Sequence, residues 1–192
     1  DSYYFPYAGY QVMRTGWDSR AHYLLFDVGP CGGWHGHDDK LAITLDGYGV
    51  PLLVETGSYD YDQSVWRAHA LSTAGHNTIM VNGLGQNRRQ LGTEQPPFRQ
   101  REDAVWISNP LFDYGSGRYD EGYGESNQLA AVHTREVVFV KPNYWLIKDV
   151  VTGPEGRHQI ESLYHFMADE LVTDYEKGIF KTNLQYSPNL LL

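Results

Sequence analysis

Four side chains in the first half of the chain have the types and spacing to hold a metal ion and move protons: His35, His37, Glu55 and His76. His35 and His37 sit one residue apart after a glycine-rich turn, in the stretch Gly29–Lys40 that reads GPCGGWHGHDDK. In extended backbone, residues i and i+2 point to the same face, so both imidazoles can aim at one centre. Glu55 follows His37 by 18 residues, and His76 follows Glu55 by 21. Two imidazoles and a carboxylate on neighbouring strands, His37, Glu55 and His76, suit a divalent ion such as zinc. His35 would then stand beside the ion, free for chemistry. A plainer reading of His-x-His is a pair hydrogen-bonding across a strand surface, and spacing alone leaves both open.

The elements that must position these residues are short strands. Residues 1–17 alternate in character and predict a first strand, and the apolar run His22–Val28 (HYLLFDV) predicts a second, ended by Gly29-Pro30. Leu41–Leu45 predicts a third, closed by Asp46-Gly47 as a hairpin signal, with Val50–Glu55 pairing back to bring Glu55 near His37. Residues 60–71 carry Trp66, Arg67 and His69 without a period of two, and read as a helical turn or an ordered loop. Asn77–Val81 predicts a strand ending at Asn82-Gly83, and Leu84–Pro97 a long polar loop.

Beyond that loop, Val105–Ser108 predicts a short strand. The Tyr/Gly-rich stretch Asp113–Gln128 is either the lining of a carbohydrate groove or a glycine-rich connection with exposed tyrosines. Ala131–Val140, Tyr144–Val151 and His158–Phe166 predict a consecutive antiparallel meander, and Leu171–Thr173 and Gly178–Thr182 two shorter strands. No convincing ten-residue helix and no solenoid repeat stand out. The expectation is an all-β antiparallel sandwich with little helix, one domain over residues 1–192.

Composition supports this: 14% aromatic residues and 20 glycines favour short strands joined by tight turns. A net charge of −9 argues against nucleic acid or an anionic membrane as partner. A polyanionic ligand would need its own cluster of cations, for which Arg14, Arg67, Arg88, Arg89, Arg99 and Arg101 are candidates, most of them read as solvated surface. The single cysteine, Cys31, allows no intrachain disulfide. No signal peptide and no apolar run long enough to span a membrane are present.

The stretches GPCGGWHGHDDKLAITLDGYGVPLLVETGSYDYD and VWRAHALSTAGHNTIMVNGLGQ resemble the C-terminal β-sandwich region of the heparinase II/III-like polysaccharide lyases, related to alginate and oligoalginate lyases. The likeness is densest over 9–86. It rests on Gly29-Pro30, the His-x-His-x-Asp of His35, His37 and Asp39, then Arg67, and Ser72-Thr73-x-x-His76-Asn77-Thr78. Where the family places a metal aspartate this chain has Glu55, one methylene longer. The resemblance implies β-elimination on uronate-containing polysaccharides of the heparin, heparan sulfate or alginate kind. It implies His35 as the catalytic histidine, His37, Glu55 and His76 as ligands of a structural zinc, and Asp39 as a residue that orients a ligand or caps a turn. Arg67 would pair with a substrate carboxylate or, equally, with a nearby acid. The family places an α/α toroid before this region and takes a catalytic tyrosine from it. The chain is therefore expected to be an inactive fragment of a larger periplasmic or secreted enzyme. His22, His133, His158 and His165 read as packing or surface residues, and His69 stays ambiguous beside Arg67.

Two rivals deserve comparison. Cupin-type metal enzymes also build sandwiches around His-x-His, Glu and a later His, but their Glu follows within a few residues. Residues 38–54 offer only Asp38, Asp39 and Asp46, and Glu55 is too far. A non-catalytic carbohydrate-binding module would use the exposed aromatics for stacking and a metal only for stability.

Overall fold

Two antiparallel sheets facing one another form the framework of the computed structural model, which describes residues 1–31, 35–89, 103–185 and 187–192. The first sheet is a five-stranded meander: β1 (Tyr3–Phe5), β2 (Tyr10–Arg14), β3 (Tyr23–Asp27), β4 (Ile43–Gly47) and β5 (Val50–Leu53), in that spatial order. The single strand expected over residues 1–17 is thus a hairpin, turning through Gly9 at φ +77°. Next come the helix α1 (Val65–Leu71), a 3-10 turn at Thr73–Gly75, and β6 (Ile79–Val81). The second sheet runs β7 (Val105–Ser108), β8 (Phe112–Tyr119), β9 (Val132–Val140) and β10 (Tyr144–Thr152). Two small ribbons complete the chain: β11 (Ile160–Ser162) pairs with β6, and β12 (Leu171–Asp174) with β13 (Ile179–Thr182).

The all-β expectation holds, with two local corrections. The Tyr/Gly-rich stretch begins as strand β8, neither groove nor loop. Its glycines are there for closeness: a Cβ on Gly117 would lie 2.5 Å from Val28 and 2.7 Å from Leu41. One on Gly115 would overlap the Gln11 side chain, which donates to the Val105 carbonyl at 2.9 Å and so ties the sheets together. The expected three-strand meander also breaks, because β11 leaves β10 and pairs with β6. Residues 60–71 resolve into a loop followed by α1, capped by the Ser64 hydroxyl accepting from the Arg67 amide. Arg99, Arg101 and the 90–97 part of the expected loop lie outside the described residues. No helix of the described residues is long and apolar enough to cross a membrane.

Alternation decides which faces meet. In β3, Leu24 and Phe26 are buried while Tyr23, Leu25 and Asp27 turn to the other face. Met13, Leu24, Phe26, Ile43 and Leu45 of the first sheet pack with Val137, Phe139 and Tyr119 of the second. The first sheet's other face is left to carry the site.

The largest fully buried side chain among the described residues is a charged one. Arg135 on β9 is fully buried and grips Asp149 of β10 with two parallel bonds, 2.8 Å from Nε and 3.0 Å from Nη2. Its Nη1 donates to the Leu41 carbonyl at 2.8 Å and the Asn77 carbonyl at 2.6 Å. His133 adds a bond from Nε2 to Asp149 at 2.6 Å. Burial alone would push the Asp149 carboxyl up, but the bonds and charges of His133 and Arg135 hold it well below the usual carboxylate range. Burial also lowers the pKa of His133.

Removing one partner strands the other without compensation. Arg135→Met is expected to cost about 3–5 kcal/mol of stability in urea unfolding. Both shifts are depressions, so their stabilisation is full at neutral pH and disappears on acidification, first as His133 and then as Asp149 takes up its proton. Asp149→Asn should flatten that acid limb; an unchanged limb would place the acid sensitivity elsewhere.

Candidate functional site

The outer face of the first sheet floors a cavity of about 180 Å³. Tyr10, Leu25, Asp27 and Thr44 form its base, and His37, Asp39, Glu55 and His76 its walls. His37 and Asp39 come from the segment between β3 and β4. Glu55 lies two residues past β5, and His76 caps the 3-10 turn.

The His37–Asp39 segment is irregular backbone, yet its polar groups are closely accounted for. The Asp38 amide donates to the Leu71 carbonyl at 3.1 Å, and its carbonyl accepts from the Thr73 hydroxyl at 2.8 Å. Its carboxylate accepts the amides of Arg88 at 2.7 Å and Arg89 at 3.1 Å. Gln86 pairs with Lys40 like a strand neighbour, accepting its amide at 2.9 Å and donating to its carbonyl at 2.8 Å. Arg88 is buried, its Nη2 on the Gly29 carbonyl at 3.0 Å and its guanidinium paired with Asp39 and Glu121 at 3.7 and 3.4 Å. It is interior framework, unlike the solvated surface read from sequence.

His37 and His76 come together as expected, with ring centroids 5.1 Å apart. Glu55 hydrogen-bonds Nδ1 of His76. Among the described residues, the donor atoms of His37, Asp39 and His76 all lie within 4.8 Å of one another. Nε2 of His76 is buried and has no hydrogen-bond partner. Two nitrogens and an oxygen with one orphaned imidazole lone pair fit a divalent ion. A carboxylate on the opposite ring nitrogen is the usual way such a histidine is oriented. The oxygen grouped with the two imidazoles is that of Asp39, and Glu55 stands behind His76.

Charge follows the same geometry. Burial lowers the pKa of His37, with Asp39 opposing. Burial also works against a charged His76, but the Glu55 bond, with the charges of Glu55, Asp39 and Asp38, leaves its pKa raised. Burial and the neighbouring Asp39 push Asp27 up to about 7.

His35 is exposed and its Nδ1 lies 3.2 Å from the Tyr61 hydroxyl. Arg67 spends Nη1 on the carbonyls of Ser58 at 2.7 Å and Asp60 at 3.0 Å, and stacks on Tyr61 at 4.6 Å. Among the described residues it forms no ion pair with a nearby acid, and its Nη1 goes to backbone.

Two residues that sequence reasoning passed over hold the site in place. Asn77 donates to the carbonyls of Ile43 at 2.8 Å and Val54 at 2.9 Å and to Glu55 at 3.3 Å, and accepts from the His165 amide at 2.6 Å. His165, read as packing or surface, bonds the Ala74 carbonyl at 3.0 Å through Nε2. The available signal was Asn77's place between His76 and a buried strand. Asn77→Ala leaves several buried carbonyls and the His165 amide unpaired. It is expected to cost at least about 1–3 kcal/mol in denaturant unfolding and to speed hydrogen exchange at His165.

Residues 1–185 match the family model described as heparinase II/III-like, C-terminal. A sequence comparison with characterised proteins found no match. Among solved structures, the chain is similar to the heparan sulfate lyase HepC of Pedobacter heparinus, with a TM-score of 0.78 and 21% identity, over 99% of this chain and 28% of that one. A heparinase III gene product gives 0.74 and 23%, over 96% and 27%. A further heparinase III gives 0.73 and 17%, over 100% and 28%. At these identities the likeness speaks for the fold, and the chain spans just over a quarter of each neighbour. On the family model, which runs nearly its full length, this chain belongs to the heparinase II/III-like family and corresponds to its C-terminal region.

Proposed function

We propose that this chain is the β-sandwich part of a polysaccharide lyase that cleaves uronate-containing chains, of the heparan sulfate or alginate kind, by β-elimination. The carrying observation is family membership over residues 1–185, with His37, Asp39 and His76 of the family's motif at one cavity. Elimination requires removing a weakly acidic proton alpha to a C6 carboxylate. That demands neutralisation of the carboxylate, a base, and an acid at the leaving oxygen. His35 is the motif histidine open to a substrate, being exposed two residues before His37 of the cavity wall. The remaining groups would come from an α-helical domain of the same protein, in keeping with the 28% coverage of the neighbours. A periplasmic or secreted setting, where such polymers are met, belongs to this reading.

A divalent ion, zinc by the nature of its donors, would be held by His37 and His76 with a carboxylate and would supply structural rigidity. Glu55 is the carboxylate implied by resemblance, and Asp39 the one grouped with both imidazoles. Elemental analysis of the purified chain should return about one equivalent of zinc, absent from His37→Ala. Asp39→Asn and Glu55→Gln then sort the carboxylates. The ligand's loss abolishes stoichiometric binding, whereas loss of the orienting group costs about 10–100-fold in affinity. No zinc in the wild type would end the metal reading.

The lyase reading has its own test. Incubated with heparan sulfate or alginate, the 192-residue chain should release no product with the ultraviolet absorbance of an unsaturated sugar. The longer parent should release it, and His35→Ala in that parent should lower turnover about 10²–10⁴-fold with zinc content unchanged. Unaltered turnover in that variant would remove His35 from the chemistry.

A further inference from the structure

The loop between Glu55 and α1 touches both histidines of the motif. Ser58 Oγ lies 3.3 Å from Nε2 of His37, and Tyr61 Oη lies 3.2 Å from Nδ1 of His35. This loop is bent by two left-handed residues, Gly57 at φ +64° and Tyr59 at φ +55°. For a tyrosine that conformation is unfavourable, and it persists only where surrounding contacts impose it. Arg67 supplies them. Its Nη1 binds the Ser58 and Asp60 carbonyls on either side of Tyr59, and its guanidinium lies 4.6 Å from the centre of the Tyr61 ring. The first turn of α1 anchors Arg67 in turn, through the Ser64 cap on its amide.

We propose that Arg67 and Tyr61 are positioning residues that lock His35 in one orientation and one tautomer, with Nδ1 accepting from the Tyr61 hydroxyl and Nε2–H presented outward as a donor. The direction of the bond follows from chemistry. An imidazole nitrogen is a far stronger acceptor than a phenol oxygen, and the phenol O–H is more acidic than a neutral imidazole N–H. With Nδ1 occupied as acceptor, the ring proton must sit on Nε2. Resting on the lyase reading, this makes His35 a hydrogen-bond donor through Nε2–H toward the substrate's carboxylate, and leaves proton abstraction to another group. It also moves Arg67 from substrate contact to the support of the residue that makes contact.

Nitrogen-15 spectra of histidine-labelled chain at pH 8.5 test this without substrate. The wild type should show His35 Nδ1 as a lone-pair nitrogen and Nε2 as a protonated one. In Tyr61→Phe the two signals should converge toward averaged values, while those of His165, held from both sides by Asn77 and Ala74, stay fixed. Tyr61 is 73% exposed, so this variant should fold. Arg67→Ala should give the same convergence and at least about ten-fold faster amide exchange at Ser58–Tyr61. Arg67→Lys should not restore it, since an ammonium lacks the planar face that lies over the Tyr61 ring while Nη1 reaches both carbonyls. Averaged His35 signals in the wild type, or an unchanged Nε2–H tautomer in Tyr61→Phe, would overturn the proposal. So would Arg67→Ala in the parent raising KM alone with the tautomer intact, since that is the mark of direct substrate contact. A parent that releases no unsaturated product while the tautomer results hold would sink the lyase reading and leave the positioning standing.

Discussion

The buried guanidinium of Arg135 is the constraint on which the rest of the molecule depends. A charge removed from water must have all its donors satisfied, and Asp149 accounts for only part of them. Both protons of Nη1 go to two carbonyls that define the site. Leu41 directly follows the His37–Lys40 segment, and Asn77 directly follows His76. One rigid side chain from the second sheet thereby fixes the spacing of two loops reached from the first. Leu41 itself sits at φ +67°, which a leucine adopts only under duress. Arg135 on its carbonyl and Asp27 accepting its amide at 2.7 Å keep it there. The core is therefore more than filler: the Arg135–Asp149 pair transmits the position of β9 and β10 to the histidines.

Around that anchor the site is built from short polar bonds between segments distant in sequence. Gln86 supplies Lys40 with strand-like partners, Thr73 bridges the Asp38 carbonyl and the Gln86 amide, and Asn77 ties β4 and the end of β5 to His165. Almost every member is buried and matched, which is what allows irregular backbone at the foot of a cavity. Burial sets the charges as well. Asp27 is pushed toward neutrality beside Asp39, while Asp149 is held ionised between two basic groups. The two carboxylates differ because only one has donors enough to repay its desolvation.

How much of this the sequence could disclose follows from the range of each signal. Strands β3, β4 and β5 announce themselves by local alternation and a hairpin turn, but His37 and His76 meet from irregular backbone and a 3-10 turn, not from the neighbouring strands expected. Asp39 and Glu55 were harder, since both are carboxylates near the same histidine and only side-chain geometry says which one faces the cluster. Strand β8 was masked because its glycines serve the opposing sheet, a reason that lies in Gln11, Val28 and Leu41 and not in its own composition. The return of β11 to β6 had no local marker at all. Arg135, by contrast, was readable in principle. His133, Arg135, Val137 and Phe139 share one parity along β9, so the apolar pair should have carried the polar pair into the core with them.

The same geometry bears on how a chain of net charge −9 could serve an acidic polymer. The arginines that composition offers for this are largely engaged where the structure describes them. Arg88 faces Asp39 and Glu121 from inside, Arg67 holds its own loop, and Arg14 lies flat on Trp17 at 3.7 Å. Arg89 is exposed and acts on His37, but attraction from such a charge falls off within about a Debye length. On the lyase reading, recognition on this face would rest on directed donors at short range, where a single well-held N–H outweighs a diffuse field. A histidine locked by a tyrosine, itself held by an arginine whose charge is spent on backbone, supplies such a donor without adding a cation.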